Sequence, residues 1–302
     1  MRQFVAVAEE LHFGKAARRL NMAQPPLSQA IRRLELELEV ELFDRSRRAV
    51  ALTEPGRVFL VEARRTLMQA ELAQKMAQRA AAKMVEARIG FIGPALYRTL
   101  PGLVVRYRAA FPDVEVRLAE LPSERQLKEL LVGDLDVGFI TAPTDRIAGI
   151  ETLVVERTYS MVAVPADWDL AQQDSISCED LAKQPLILPP SKYALHFAEI
   201  LSMFKTMAAT PRITQETMQM NTTISLVGAG LGCSILTRSA ASTRPRNVKF
   251  LRIEDPPPYR PWELALVWAK DHLNEVSAQF VQTARDHVAA NPQLFEDPED
   301  VV

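Results

Sequence analysis

Apolar positions over residues 2–88 recur at helical spacing with few interruptions. Phe4, Val5, Val7, Ala8 and Leu11 predict a short amphipathic helix. Gly14 to Leu20 predicts a second, with Ala16, Ala17 and Leu20 inward, Lys15, Arg18 and Arg19 outward, and Asn21 as a left-handed stop. Ala23-Gln24-Pro25-Pro26 opens a third, since proline suits a first turn whose amides lack partners anyway. Its predicted inward face is Leu27, Ala30, Ile31, Leu34 and Leu38; Ser28, Gln29, Arg32 and Arg33 face out. Leu42-Phe43 and Val50-Ala51-Leu52 then flank Arg45-Ser46-Arg47-Arg48, which suggests a two-stranded turn with a basic tip. Thr53 reads as the N-cap of a helix. Neither Gly nor Pro occurs from Arg57 to Ile89, so one helix of about thirty residues is expected. Within it Phe59, Ala63, Thr66, Ala70, Ala73, Ala77, Ala80 and Met84 alternate steps of four and three. That is the spacing of a coiled-coil seam with mostly small residues, and a lone amphipathic linker helix is the alternative.

From residue 89 to 290 strands alternate with helices. The strands are expected at Ile89–Ile92, Val114–Leu118, Leu135–Thr141, Thr152–Val164, Leu186–Leu188, Ile213–Glu216, Cys233–Leu236, Val248–Ile253 and Leu264–Trp268. Helical patterns lie near 99–110, 123–132, 194–208, 220–229 and 274–290. The alternation argues for an α/β body with mainly parallel sheets, and periodicity leaves open one sheet or two lobes.

Composition changes this picture in one respect. The 302 residues are 48% hydrophobic and 25% charged with a net charge of −2, ordinary for a globular chain and no sign of a nucleic-acid partner. The charge is uneven, however. Residues 1–88 hold 16 Lys+Arg against 11 Asp+Glu, while 89–302 hold 20 against 27. A basic front on an acidic body points the front end at an anionic partner. Two cysteines, Cys178 and Cys233, exclude a disulfide framework and fit a reducing compartment. Scattered histidines and the absence of C-x-x-C leave no structural zinc site, and no cofactor is expected. Ile224 to Leu236, the most apolar stretch, is too short to span a bilayer, and no secretory leader is apparent, so the expected compartment is the cytoplasm.

Three short helices and a basic turn in some sixty residues fit a winged helix-turn-helix. Gln24, Ser28, Gln29, Arg32 and Arg33 on one helix face suit base edges and phosphates of double-stranded DNA. Arg45, Arg47 and Arg48 suit phosphates or a narrow minor groove. A solvated basic helix face is the plainer reading of any one such helix. Five segments, in order, go further: Phe13-Gly14-Lys15-Ala16-Ala17-Arg18-Arg19-Leu20, Ala23-Gln24-Pro25-Pro26-Leu27-Ser28, Ile31-Arg32-Arg33-Leu34-Glu35, Leu42-Phe43-Asp44-Arg45 and Leu52-Thr53-Glu54-Pro55-Gly56. Together they resemble the N-terminal domain of LysR-type transcriptional regulators. The body is similar more loosely, at Phe111-Pro112, Gly133 to Gly138 and Leu226 to Gly232. Gly93-Pro94-Ala95-Leu96-Tyr97-Arg98-Thr99-Leu100-Pro101 resembles the branch that controls aromatic catabolism.

The resemblance implies a winged helix-turn-helix over 1–56, with Pro25 joining Gln24, Ser28 and Gln29 at base edges. It implies a pairing linker helix over 57–88 and an effector-binding domain over 89–302 of the two-lobed type 2 periplasmic-binding-like fold. Lobe I would comprise 89–164 and 266–290, lobe II 165–265, with crossings near Val162–Pro165 and Leu266–Ala269. A homotetramer on an operator with an inverted repeat, a small organic acid effector, and RNA polymerase as a further partner follow from the same resemblance. Carried over by position, effector contacts fall at Pro94, Ser123, Ala194 and His196, of which only Ser123 keeps the usual hydroxyl. Thr99, Thr141, Ser191, Asn221 and Thr222 complete the candidate site. Thr99, Ser123, Ser191, Asn221 and Thr222 stand near predicted helix starts, where free amides favour anions, although simple N-caps read the same way.

Two departures stand out. Glu39 occupies a position where the family usually has glycine; if it is left-handed it costs roughly 1 kcal/mol, and a different helix ending is the alternative. Met1 falls abruptly inside the expected first helix, which leaves a start farther upstream open. The competing class is an enzyme or a solute-binding protein on the same body fold. No G-x-S-x-G, Walker loop, H-E-x-x-H or dinucleotide fingerprint is present, and a transport protein has no use for a basic winged helix.

Overall fold

The computed structural model describes residues 1–44, 50–80, 85–143, 145–190, 204, 210–217, 219–243, 245–254 and 261–295. The chain divides into two compact units, Met1–Ala82 and Lys83–Val302.

The first unit opens with α1 (Arg2–Glu10), α2 (Phe13–Arg19) and α3 (Gln24–Leu38). Phe4, Ala6, Val7 and Ala8 of α1 pack with Ala16, Ala17, Leu27 and Ile31. Leu11, expected inward, is exposed because it ends α1 in the left-handed region. Asn21 takes the predicted left-handed conformation at φ 52°. Leu38 differs from its predicted inward position on α3 and is exposed, since the helix outruns its core in the last turn. Glu39 ends α3 at φ 56°, so the glycine-like geometry persists without glycine. Val40 closes that ending, its backbone N–H donating to the Glu35 carbonyl at 3.2 Å.

The short strands β1 (Phe43–Asp44) and β2 (Ala51–Leu52) pair antiparallel, as the flanking apolar pairs predict. Their basic tip lies outside the described residues. Helix α4 (Glu54–Ala80) follows, with Thr53 Oγ1 accepting the Gly56 amide at 3.0 Å. Gly56 is obligatory there, because a Cβ would stand 2.1 Å from the Leu42 carbonyl oxygen. The proposed seam needs correcting at its start. Phe59 meets Phe4 at 4.9 Å between ring centroids and Ala63 is buried in the same core, so neither faces a partner. Thr66, Ala70, Ala73 and Ala77 are exposed.

In the second unit β3 (Val85–Phe91) begins at Val85, where a helix through residue 88 was expected. Its register with β4 (Val114–Glu120) runs from Val85↔Val114 to Phe91↔Glu120. Pairing outweighs local helix propensity here. After α5 (Thr99–Ala110), β4, α6 (Ser123–Leu131) and β5 (Val137–Thr141), β6 spans Ile150–Thr158 and β7 Ser160–Pro165. Then come β8 (Ser175–Ile176), α7 (Cys178–Lys183), β9 (Pro185–Leu188), β10 (Arg212–Glu216) and α8 (Met220–Gly228). The last elements are β11 (Ser234–Thr237), β12 (Val248–Ile253), β13 (Trp262–Ala269) and α9 (Glu275–Ala290).

One sheet has the order β4-β3-β5-β13-β6 and another β11-β7-β12-β8, with β9 and β10 paired beside them. The β4, β3 and β5 strands are parallel, but β13 is antiparallel to both its neighbours and β7 to both of its own. The sheets are therefore mixed rather than mainly parallel. The expected single strand 152–164 is two strands in two sheets, and the chain passes between them at Tyr159. It returns to the first sheet between β12 and β13. The predicted crossings are displaced because Val162–Pro165 already pairs with β11 and β12, and Leu266–Ala269 with β6. Each lobe has its own core, with Leu103, Tyr107, Phe139 and Phe280 in the first and Val164, Leu186, Phe204 and Leu251 in the second.

Two polar side chains brace lobe I. Buried Gln126 donates to the Leu121 and Phe139 carbonyls at 2.8 and 3.0 Å, in space left by Gly138, where a Cβ would lie 2.6 Å from its Oε1. Asp136 accepts from the Arg88 amide and from Asn274 Nδ2, both at 2.9 Å, which makes it structural, as its place before a buried strand implies.

Candidate DNA-reading face and effector cleft

On α3 Pro25, Gln29, Arg32 and Arg33 are exposed on the side away from Leu27 and Ile31, Gln24 is exposed where the helix begins, and Ser28 is half-buried. Arg33 Nε donates to Glu37 at 3.0 Å in an exposed pair that phosphate would readily displace. Arg45, Arg47 and Arg48 lie outside the described residues. Sequence reading missed His12, whose Nδ1 accepts the Gly14 and Lys15 amides at 3.1 and 3.3 Å and so caps α2. Glu9 ties Arg19 and Arg64 to α1, each at 2.7 Å. The Arg64 hydrogen bond, with Arg19 behind it, holds the Glu9 carboxyl below its usual range.

The effector candidates sort by strand end. Pro94 follows β3 in a 3-10 turn, Ser123 begins α6 just after β4, and Thr141 ends β5. Those three strands are adjacent and parallel, so the three residues share the carboxyl edge of one sheet. Open α/β sheets bind ligands at that edge. Ser123 is 9% exposed at the first turn of α6, while Pro94 and Thr141 are half-buried. Ile92 and Leu121 amides, bonded to the Phe139 and Phe91 carbonyls at 3.1 and 3.0 Å, hold the edge in register.

Asn221 and Thr222 are exposed in the first turn of α8, in lobe II. The Tyr97 hydroxyl donates to Asn221 Oδ1 at 2.8 Å and brings that turn to the Pro94 segment. Burial, and then the Glu120 carboxylate, push the Tyr97 phenol up, so the hydroxyl keeps the proton it donates. Neither Tyr97 nor Glu120 was singled out from sequence, although Tyr97 lies within the run that carries the branch resemblance.

Thr99 is a correction. It does start α5, but it is 0% exposed and its Oγ1 donates to Glu156 Oε2 at 2.6 Å. The protein's own buried carboxylate thus occupies the start of α5 where an effector's was expected. Ser191 and His196, with Ala194, lie outside the described residues. Arg98 is turned away to the Gln293 carbonyl. Among the described residues no cluster of His, Cys, Asp or Glu is arranged to hold a metal. Among them also, no helix is long and apolar enough to cross a membrane.

Two family models match the chain: the bacterial regulatory helix-turn-helix protein, lysR family, over residues 1–57, and the LysR substrate binding domain over 85–289. The chain belongs to the LysR family of transcriptional regulators. Among curated relatives, the HTH-type transcriptional regulator AlsR of Bacillus subtilis (strain 168) is 37% identical over 287 residues, covering 93% of each chain. Among solved structures, full-length BenM superposes with a TM-score of 0.60 at 29% identity over 98% of this chain and 97% of BenM. Full-length CbnR complexed with its target DNA gives 0.57 at 29% over 95% and 98%. This LysR-type regulator thus joins a DNA-binding helix-turn-helix to a two-lobed α/β domain for a small molecule.

Proposed function

We propose that the chain is a cytoplasmic regulator that binds an operator containing an inverted repeat and responds to a small organic anion held between the lobes. The observation that carries the effector half is the meeting of Pro94, Ser123 and Thr141 at one carboxyl sheet edge, with Asn221 brought to it by Tyr97. The starts of α6 and α8 supply amides that favour negative charge. Ser191 and His196 complete the proposed site. Pro94 supplies neither a hydroxyl nor an amide donor, which favours an acid bulkier or more apolar than one held by a hydroxyl at that corner. In the DNA half, Gln24, Pro25, Ser28 and Gln29 read base edges, Arg32 and Arg33 bind phosphates, and Arg45, Arg47 and Arg48 work in the wing.

The proposed organisation is a reading head over 1–56, a linker helix over 57–88 that pairs chains, and an effector domain over 89–302, assembled as a tetramer. RNA polymerase is the proposed further partner. The effector moves the regulator between two states only as far as it binds them differently. Calorimetry with aromatic, aliphatic and amino acids tests the anion. Tight binding of carboxylates, weakened by Ser123→Ala with operator affinity unchanged, is the expected result. Tight binding by neutral or cationic compounds alone overturns it.

A further inference from the structure

Beyond its reading face, the first unit carries a groove of about 870 Å³ between the end of α3 and β1. Leu36 and Val40, at 78% and 41% exposure, form its apolar part with buried Phe43, and Glu35, Glu39, Glu41 and Asp44 also line it. Arg32 is the one cation among its described lining residues. Four of the eleven acidic residues of 1–88 therefore gather on one side of a segment whose net charge is positive. Glu35 has a fold role, its Oε1 accepting the Leu42 and Phe43 amides at 3.0 and 3.1 Å. Glu39 and Glu41 are exposed. DNA does not suit this groove, because phosphates are repelled by carboxylates. A leucine this exposed in a small domain gains by burial against something apolar.

We propose that this groove docks a protein bound to the same DNA, one that presents Lys or Arg side chains around an apolar anchor. The anchor seats on Leu36 and Val40, and the cations meet Glu39 and Glu41. Charge complementarity fixes the sign of the partner, and proximity to α3 fixes its place, beside the operator. The proposal rests on the DNA reading above.

The test uses the full chain, an operator–promoter fragment, and purified RNA polymerase holoenzyme as the DNA-bound probe. Leu36→Gln, Glu39→Gln and Glu41→Gln are combined in one variant. These changes remove negative charge near DNA, so they do not weaken operator binding electrostatically. The variant is expected to footprint the operator within twofold of the unsubstituted protein. It is also expected to lose at least fivefold of the gain in polymerase occupancy that the unsubstituted protein confers. Unchanged operator protection shows that the variant folds. An undiminished gain in the variant overturns the docking surface, as does protection without any gain in the unsubstituted protein. No protection by the unsubstituted protein would remove the DNA reading and the docking surface together.

Discussion

The Tyr97 hydroxyl and the Asn221 side-chain carbonyl, 2.8 Å apart, join the segment before α5 in lobe I to the first turn of α8 in lobe II. Tyr97→Phe keeps the ring and removes that bond. A hydrogen bond of this kind contributes on the order of 1 kcal/mol, so effector affinity is expected to fall roughly threefold to tenfold. Operator affinity without effector should stay within a few-fold. Calorimetry and footprinting on the same preparation check both, and an unchanged Kd for every ligand would remove the bond from the effector response.

On DNA, Gln29→Ala should cost on the order of 1–3 kcal/mol at one base position and leave others alone. Arg47→Ala should weaken all sequences alike and lower the salt slope by about one. Competition binding across single-base operator variants at several salt concentrations separates the two patterns.

Assembly offers a paired test on α4. Ala73 and Ala77 are exposed in the single chain, so replacing both with Glu should break pairing while leaving each unit folded. Phe59→Ala should do the opposite, lowering stability by on the order of 2–3 kcal/mol because the ring packs on Phe4 within its own chain. Light scattering and thermal melts of both variants distinguish the roles.

Acid should weaken the effector domain through His287. Burial, and then the Arg106 guanidinium, hold this imidazole below its ordinary value. The unfolded chain therefore takes up the proton first, and the stability present above about pH 6.5 is lost as pH falls toward the folded value. His287→Gln should flatten the decline in melting temperature between pH 7.5 and 5.5. An identical decline in the variant would point to other groups.

Much of this was legible in residue order, for reasons that differ by element. Thr53, Asn21 and the starts of α5 and α6 were visible because caps and stops act within a few residues. The start of β3 was not, since Val85 to Arg88 become strand only by pairing with Val114 to Arg117, far along the chain. The antiparallel β13 was hidden for the same reason: a continuous apolar run states burial but not direction. Among the effector candidates, the place of Ser123 at a helix start was legible because that signal is local. Thr99 was misread because nothing local announces that Glu156 is its partner.

The position of β13 bears on how the protein is made. Residues 262–269 insert between β5 and β6, although β6 ends at Thr158. Lobe II is therefore synthesised inside an unfinished lobe I, whose sheet closes only when a strand about a hundred residues later arrives. Such late, distant pairing is expected to slow the closure of lobe I. A chain stopped after residue 254 would keep every described strand of lobe II yet leave β6 without its neighbour.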